Sequence, residues 1–298
     1  MMRDPAAAPG EAPAITVLMP VYNGAAFLGP AVASVLSQSC TDFELLAIDD
    51  GSSDGSGEII AGYGDGRVRI HKNPENLGLI ASLNTGIDLA RGRYIARMDA
   101  DDISAPIRLA RQLEYLEQHP GVGVCSTWAT FIDEQGSELA VLKTPVGREL
   151  RPLFWRPSPL VHAAAMVRTS ILREHRYSPD FAHAEDYELW LRLYDVTSFH
   201  NLAEPLYAIR RHPGSVSSCK RETQLRNSHR ALCRFLGGEA VSYEEFESLL
   251  HVDLAVNPLK RSFAYIRAAR RTGFDAGYLL RDGWQYAREW LKHARSLR

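Results

Sequence analysis

Gly92-Arg93-Tyr94-Ile95-Ala96-Arg97-Met98-Asp99-Ala100-Asp101-Asp102 begins as a short, mostly apolar run and ends with three carboxylates in four residues. Such a run reads as a buried strand, which puts the acidic cluster at the strand's carboxyl end. Open α/β sheets bind their ligands outside that end. Carboxylates this close repel one another, and a divalent cation is the commonest remedy. An Asp-x-Asp turn (Asp99, Asp101) therefore suggests a metal that also holds a substrate phosphate. A lone Asp-x-Asp is more often a solvated acidic turn, so the rest of the chain decides.

On the N-terminal side, strand and helix alternate. Ala14–Pro20 is an apolar strand, and Phe27–Ser39 carries Ala31, Val32, Val35 and Leu36 at helical spacing. Glu44–Asp49 is a second strand, ending in Asp49-Asp50-Gly51-Ser52-Ser53-Asp54, a turn followed by a helix start. Arg67–His71 alternates like a third strand, and Leu79–Ala90 is a helix that runs into the Tyr94–Met98 strand. Strands separated by helices of this length imply βαβ units and a parallel sheet.

Past the acidic turn the alternation fades. Pro106 opens a helix that ends near Pro120, Val122–Thr127 is strand-like, and Phe131–Leu142 forms a hairpin turning at Glu134–Ser137. Val161–Val167 reads as an apolar strand led by His162, Glu185–Tyr194 as a helix, and Phe199–Arg210 as extended. Beyond Ser217 the pattern is helical. Asn257-Pro258 is a helix start, and two basic amphipathic helices cover roughly 258–271 and 275–296.

Composition narrows the class. Apolar residues at 45% and charged residues at 23% describe an ordinary globular protein. The formal charge, 34 − 36 = −2, gives no bulk electrostatic case for nucleic acid. That total hides an asymmetry: Leu259–Arg298 holds ten Lys/Arg against three Asp/Glu, leaving −9 on the remainder. Cys40, Cys125, Cys219 and Cys233 are scattered, so neither structural zinc nor a disulfide framework is expected, and a reducing cytosol fits. Met1–Pro13, Ala/Pro-rich without an apolar core, reads as a disordered tail rather than a signal peptide. No stretch approaches the roughly 20 apolar residues of a membrane span.

Other nucleotide and metal motifs fail on inspection. There is no G-x-x-x-x-G-K-[ST], and no G-x-G-x-x-G follows the first strand. Read as an EF-hand, the Asp99 stretch has Ser104 where glycine is required and Ala110 where the closing glutamate belongs.

Several segments, in order, resemble family 2 glycosyltransferases, the inverting nucleotide-sugar enzymes with a GT-A fold. They are Val17–Asn23, Ser34–Ser39, Asp49–Asp54, Asn73 with Asn76-Leu77-Gly78, Asn84, Asp99–Asp102 and Glu185–Arg192. The resemblance covers about residues 14–217; nothing in 218–298 matches a known pattern. It implies a GT-A domain over 14–217, with a mixed, mostly parallel sheet; the helical pattern beyond Ser217 makes 218–298 a helical C-terminal region.

The resemblance also assigns roles. It makes Asp101 the direct ligand of Mn²⁺ or Mg²⁺, with Asp99 on the ribose or a metal-bound water and Asp102 in support. Asp50 would accept from the nucleotide base, and the Pro20-Val21-Tyr22 turn would cover it, with Tyr22 stacking. Asn23, Asn76 and Ala100 are further candidates near the nucleotide. In Arg210–Ser217, an R-x-H-x-x-S-x-S stretch, His212 would complete the metal shell. Asp186 would be the catalytic base, with Glu185 its partner on the acceptor side.

The expected donor is a nucleoside-diphosphate sugar, UDP-linked by preference, with dTDP- or GDP-sugars as alternatives. The acceptor is a carbohydrate or a lipid-linked precursor. The basic C-terminal helices suggest contact with an anionic membrane surface or self-association, which would place a cytoplasmic protein at the inner face of a membrane. Two rival readings remain: a sugar nucleotidyltransferase, and a silent nucleotide-sugar binding module.

Overall fold

A single mixed sheet organises the computed structural model, which describes residues 12–147, 150, 154, 159–214, 220–237, 242–244 and 246. In chain order the first half runs β1 (Ile15–Val21), α1 (Ala25–Leu36), β2 (Phe43–Asp49), α2 (Ser56–Ala61), β3 (Val68–Lys72), α3 (Leu79–Leu89) and β4 (Tyr94–Arg97). The second half runs β5 (Ile103–Ser104), α4 (Arg108–Gln118), β6 (Val122–Ile132), β7 (Glu138–Leu142), β8 (Met166–Arg168), α5 (Thr169–His175), α6 (Glu185–Leu193), β9 (Ser198–Arg210) and α7 (Arg221–Phe235). The sheet order is β3-β2-β1-β4-β8-β6-β9-β5, with β7 on the side of β6. β3, β2, β1 and β4 are parallel, β8 is antiparallel to both its neighbours, and β9 runs parallel to β6.

The N-terminal strands are apolar almost throughout because both faces are covered. Along β1, Val17 and Met19 join one core while Leu18 joins the other, as period-two alternation requires. Glu44 is a buried charge near the start of β2, at 2% exposure. It accepts from Thr16 Oγ1 (2.7 Å), Arg69 Nη1 (2.7 Å), the Arg91 amide (2.9 Å) and Arg91 Nε (2.7 Å). Burial would raise its pKa, but these donors together hold it below the ordinary value.

From β1 the chain moves outward to β2 and β3, then returns to β4 on the other side of β1. The reversal opens a crevice at the carboxyl ends of β1 and β4, where α/β sheets bind ligands. The Asp99 turn lies there.

Two local expectations change. Val161–Val167 is a 3₁₀ turn (His162–Ala164) followed by the three-residue β8. His162 Nε2 lies 2.9 Å from the Tyr177 hydroxyl, and β8 then pairs between β4 and β6. Val122–Thr127 and the first hairpin arm are instead one eleven-residue strand, β6, because β9 pairs along its length. The hairpin itself forms as expected. Residues 1–11, Ser215–Ser217 and the helices expected over 258–271 and 275–296 lie outside the described residues. Among the described residues, no helix is long and apolar enough to cross a membrane.

Candidate active site

Three loops meet at the carboxyl edge of the sheet. The Asp49–Asp54 segment clasps the other two. Ser52 Oγ accepts from the Asn23 amide (3.0 Å) and Asn23 Oδ1 accepts from the Ser53 amide (3.0 Å). The Gly24 amide donates to Ser56 Oγ and the Ala25 amide to Asp54 Oδ2, which ties the start of α1 to the same segment. Asn23 adopts φ 48°, a left-handed conformation that asparagine tolerates better than most residues. Gly51, at φ 73°, is required for two reasons. Its backbone is left-handed, and a Cβ there would lie 2.7 Å from the Glu75 carbonyl carbon.

Several residues expected near the nucleotide have partners within the protein. Asp50 is 3% exposed and already accepts from Asn73 Nδ2 (2.7 Å), the Leu77 amide (3.0 Å) and the Gly78 amide (2.8 Å). Its carboxylate thereby shapes the 76–78 turn. Asn76 Oδ1 closes the same turn onto the Gly78 amide. Val21, 1% exposed, packs its side chain into the core. Pro20 continues β1, while Tyr22, at 52% exposure, projects from the loop as an open aromatic surface. Ala100 sits beside Gly24, where a glycine Cβ would meet its methyl at 3.5 Å.

The acidic turn is a second, tighter cluster. One carboxylate oxygen from each of Asp99, Asp101 and Asp102 lies within 4.8 Å of the others. Burial, then the charges of Asp99 and Asp101, push the Asp102 carboxyl well above its usual range, against the Arg210 amide and Tyr207 hydroxyl that lower it. Burial and Asp99 likewise raise Asp101, opposed by His212. His212 Nε2 lies 2.9 Å from Asp101 Oδ2, and its ring packs on Phe27 at 5.0 Å between centroids. Oxygen donors from three carboxylates, with an imidazole beside them, suit Mn²⁺ or Mg²⁺, and a dication would relieve the repulsion that raises Asp101 and Asp102.

Three residues with no assigned role build this cluster. Arg210 donates its amide to Asp102 Oδ1 (2.8 Å) and Nε to the Asp101 carbonyl (2.8 Å). The Tyr207 hydroxyl accepts from the Asp99 amide (3.0 Å). Arg97 Nη2 donates to Asp99 Oδ1 (2.6 Å). The first two arrive on β9 through the tertiary fold; Arg210 opens the R-x-H-x-x-S-x-S stretch, while Tyr207 leaves no local signal. Arg97 does leave one, a charge inside an apolar strand.

The third group is Glu185-Asp186 at the start of α6. Three acids occupy the first turn of that helix, where the macrodipole favours negative charge. His183 precedes them at φ 66°, a conformation rare outside glycine. Asp186 Oδ1 accepts from the Tyr187 amide at 2.7 Å. Glu185 is 6% exposed, and its Oε2 has no hydrogen-bond partner among the described residues. Burial and then the Asp186 charge push Glu185 up to about 7, and burial also raises Asp186. The charge of Arg97 acts on both carboxyls. His162 and Tyr177 stand nearby, with His162 against Trp190 of α6 at 6.0 Å and held well below its ordinary value by burial, then Arg97.

Comparison with known proteins bears on this arrangement. The chain is 34% identical over 188 residues to an uncharacterized glycosyltransferase of Methanocaldococcus jannaschii, covering 61% of this chain and 65% of that protein. Its fold is similar to that of S. aureus TarS 1-349 in complex with UDP-GlcNAc (TM-score 0.64, 15% identity), covering 95% of this chain and 91% of that one. It is also similar to the mannosyltransferase PcManGT from Pyrobaculum calidifontis in complex with GDP-Man and Mn²⁺ (TM-score 0.59, 20% identity; 95% and 83% covered). These two likenesses place the sheet and its helices in the GT-A fold. The model of the glycosyl transferase family 2 matches residues 16–176, over half of the chain, from β1 through β8. With the acidic turn at the sheet's carboxyl edge, that match makes the protein a glycosyltransferase, and the chain belongs to glycosyl transferase family 2.

Proposed function

We propose that this protein is a metal-dependent, inverting glycosyltransferase that moves a sugar from a nucleoside-diphosphate sugar to an acceptor hydroxyl. One observation carries the reading: carboxylate oxygens of Asp99, Asp101 and Asp102 lie within 4.8 Å of one another with His212 beside Asp101, while a second acidic pair, Glu185–Asp186, opens α6. One acidic site fits a leaving diphosphate and the other an incoming hydroxyl. Two proteins of this fold are described with UDP-GlcNAc and with GDP-Man and Mn²⁺, which supports a nucleotide-sugar donor. A UDP-sugar is favoured, with GDP- or dTDP-sugars as alternatives.

Asp101 and Asp99 would hold the cation, with His212 beside Asp101 to complete the set. When bound, Mn²⁺ or Mg²⁺ offsets the charge that develops on the departing diphosphate. Asp102 is engaged by the Arg210 amide, so its part is to fix the turn. Tyr22 offers the face on which a base stacks. On the opposite side, Asp186 takes the acceptor's proton as the new oxygen–carbon bond forms. The bond from the sugar carbon to the phosphate oxygen breaks in the same displacement, its electron pair leaving with the diphosphate. A single displacement inverts the anomeric centre. Burial makes Asp186 a stronger proton acceptor than a solvated aspartate.

Residues 14–217 would form the catalytic domain, and 218–298 a helical region serving the acceptor side. Its basic composition supports a glycan or lipid-linked acceptor at the inner face of a membrane. A panel of nucleotide sugars with Mn²⁺, read by thermal shift and by product analysis, tests the proposal. Release of free nucleoside diphosphate with an inverted anomer supports it. Pyrophosphate release would mark a nucleotidyltransferase, and no turnover of any donor a silent binding module.

A further inference from the structure

His162 begins the 3₁₀ turn that leads into β8, and its contacts place it between the two acidic motifs. The Arg97 amide donates to the Ala165 carbonyl at 2.8 Å, so the end of this turn abuts the strand that delivers Asp99. On the other side, the His162 ring stands edge-on to the Trp190 indole, 6.0 Å between centroids. Trp190 follows Asp186 by four residues on α6, and residues so spaced share one helix face. The imidazole therefore sits between the end of β4 and the face of α6 that carries Asp186.

A third contact fixes the ring. Its Nε2 lies 2.9 Å from the Tyr177 hydroxyl. Tyr177 is itself pinned to α3, because Asn84 Nδ2 donates to its carbonyl (2.9 Å) and its amide donates to Asn84 Oδ1 (3.0 Å). The phenol is buried, and among the described residues Nε2 is the acceptor within its reach. Donating there leaves the neutral ring's own proton on Nδ1, whereas the opposite arrangement would strand the phenol proton without an acceptor. Nδ1 has no partner among the described residues, and the ring remains partly exposed. Two buried polar atoms of α6, Glu185 Oε2 and Trp190 Nε1, likewise lack a hydrogen-bond partner among the described residues. Buried polar groups are seldom left so unless a ligand or a water answers them.

A direct displacement holds the transferred sugar between the leaving diphosphate and the base, so that sugar is what fills the gap from the end of β4 to Asp186. We propose that His162 binds it: Nδ1–H donates a hydrogen bond to a hydroxyl of the sugar being transferred, while Tyr177, clamped by Asn84, fixes the tautomer and the ring. The proposal rests on the reading of this site as a nucleotide-sugar transferase with Asp186 as base.

The test measures by calorimetry, with Mn²⁺ present, the affinity of UDP-GlcNAc relative to UDP and of GDP-mannose relative to GDP, using whichever pair the wild type binds. His162→Asn keeps an amide donor near the position of Nδ1, and His162→Gln keeps one near the position of Nε2. In His162→Gln the sugar nucleotide loses about tenfold in affinity relative to its nucleoside diphosphate, whose own affinity is unchanged. In His162→Asn the ratio stays close to the wild type. The reverse order makes the ring a prop for Tyr177 and overturns the proposal. Equal losses in both variants also overturn it, because the loss then does not follow the Nδ1 donor. An unchanged ratio in both does the same even if sugar transfer falls, since His162 would then serve the acceptor. If either variant does not fold, Tyr177→Phe decides: freeing the tautomer lowers the ratio, and a ratio equal to the wild type overturns the proposal. A wild type that binds neither pair fails the reading of function itself, whereas nucleotide binding with a ratio indifferent to His162 fails this inference alone.

Discussion

His212 Nε2 and Asp101 Oδ2 lie 2.9 Å apart, although 111 residues separate them in sequence. The contact forms because β9 carries Arg210 to Asp102 and leaves His212 two residues further on. Replacing Asp101 with Ala removes one carboxylate from the turn, beyond the end of β4 and its pairing. Donor turnover is expected to collapse. Mn²⁺ should then no longer raise the melting temperature in the presence of nucleoside diphosphate. Full activity of Asp101→Ala, or of wild type in excess chelator, would refute the metal assignment.

Asp186→Asn keeps shape and the bond from the Tyr187 amide but loses the proton acceptor. Transfer should fall by roughly 10²–10⁴-fold, the usual worth of general base catalysis. Donor affinity, measured by calorimetry, should change little, because the Asp99 turn is untouched. Weakened donor binding in this variant would make Asp186 part of the nucleotide site instead.

Glu185 links activity to stability. Its carboxyl is pushed from 4.5 up to about 7 by burial and then by Asp186, so the folded state binds its proton more tightly than the unfolded chain does. Its contribution is therefore favourable at low pH and is lost as pH rises from 4.5 through 7. The penalty above that window is at most about 3 kcal/mol. Glu185→Gln removes the charge, so its melting temperature should gain on wild type at pH 8 and not at pH 4, within the range set by this window. Equal differences at both pH values would count against a strained carboxyl here.

Two glycines test the packing behind the site. A Cβ on Gly86 would meet Leu18 Cδ1 at 2.1 Å, the end of a side chain that can rotate. On Gly92 it would meet the Thr16 backbone nitrogen at 2.4 Å, and backbone cannot step aside. Gly86→Ala should cost about 1–3 kcal/mol, and Gly92→Ala more. Denaturant midpoints in the reverse order would contradict this account of the β1–β4 contact.

The basic C-terminal segment makes a separate prediction. Leu259, Phe263 and Ile266 fall at helical spacing among lysines and arginines, as do Trp284, Ala287 and Leu291. Full-length protein should pellet with anionic vesicles and lose that binding in high salt. Equal pelleting by a version ending at Val256 would remove the tail from the account.

Periodicity and turn chemistry made the parallel half of the sheet legible in the sequence. The apolar runs of β1, β2 and β4, spaced by α1 and α3, leave one arrangement with the Asp99 turn at the carboxyl edge. The acids at the start of α6 were legible for the same reason, since a helix start is local. Roles of single side chains were less so. Asn23 and Asp50, read as ligand contacts, are bound to neighbouring loops, because a polar atom's partners depend on which loops the fold brings within 3 Å.

By itself, the sequence determined the alternating strands and helices of the parallel half, because burial pattern is a short-range property. It also placed both acidic motifs at the ends of those elements. Tertiary structure alone decided that β8 enters the sheet antiparallel between β4 and β6, and that β9 brings Tyr207, Arg210 and His212 to the acidic turn. Strand order and these contacts are set by packing between segments a hundred residues apart, which no local pattern encodes.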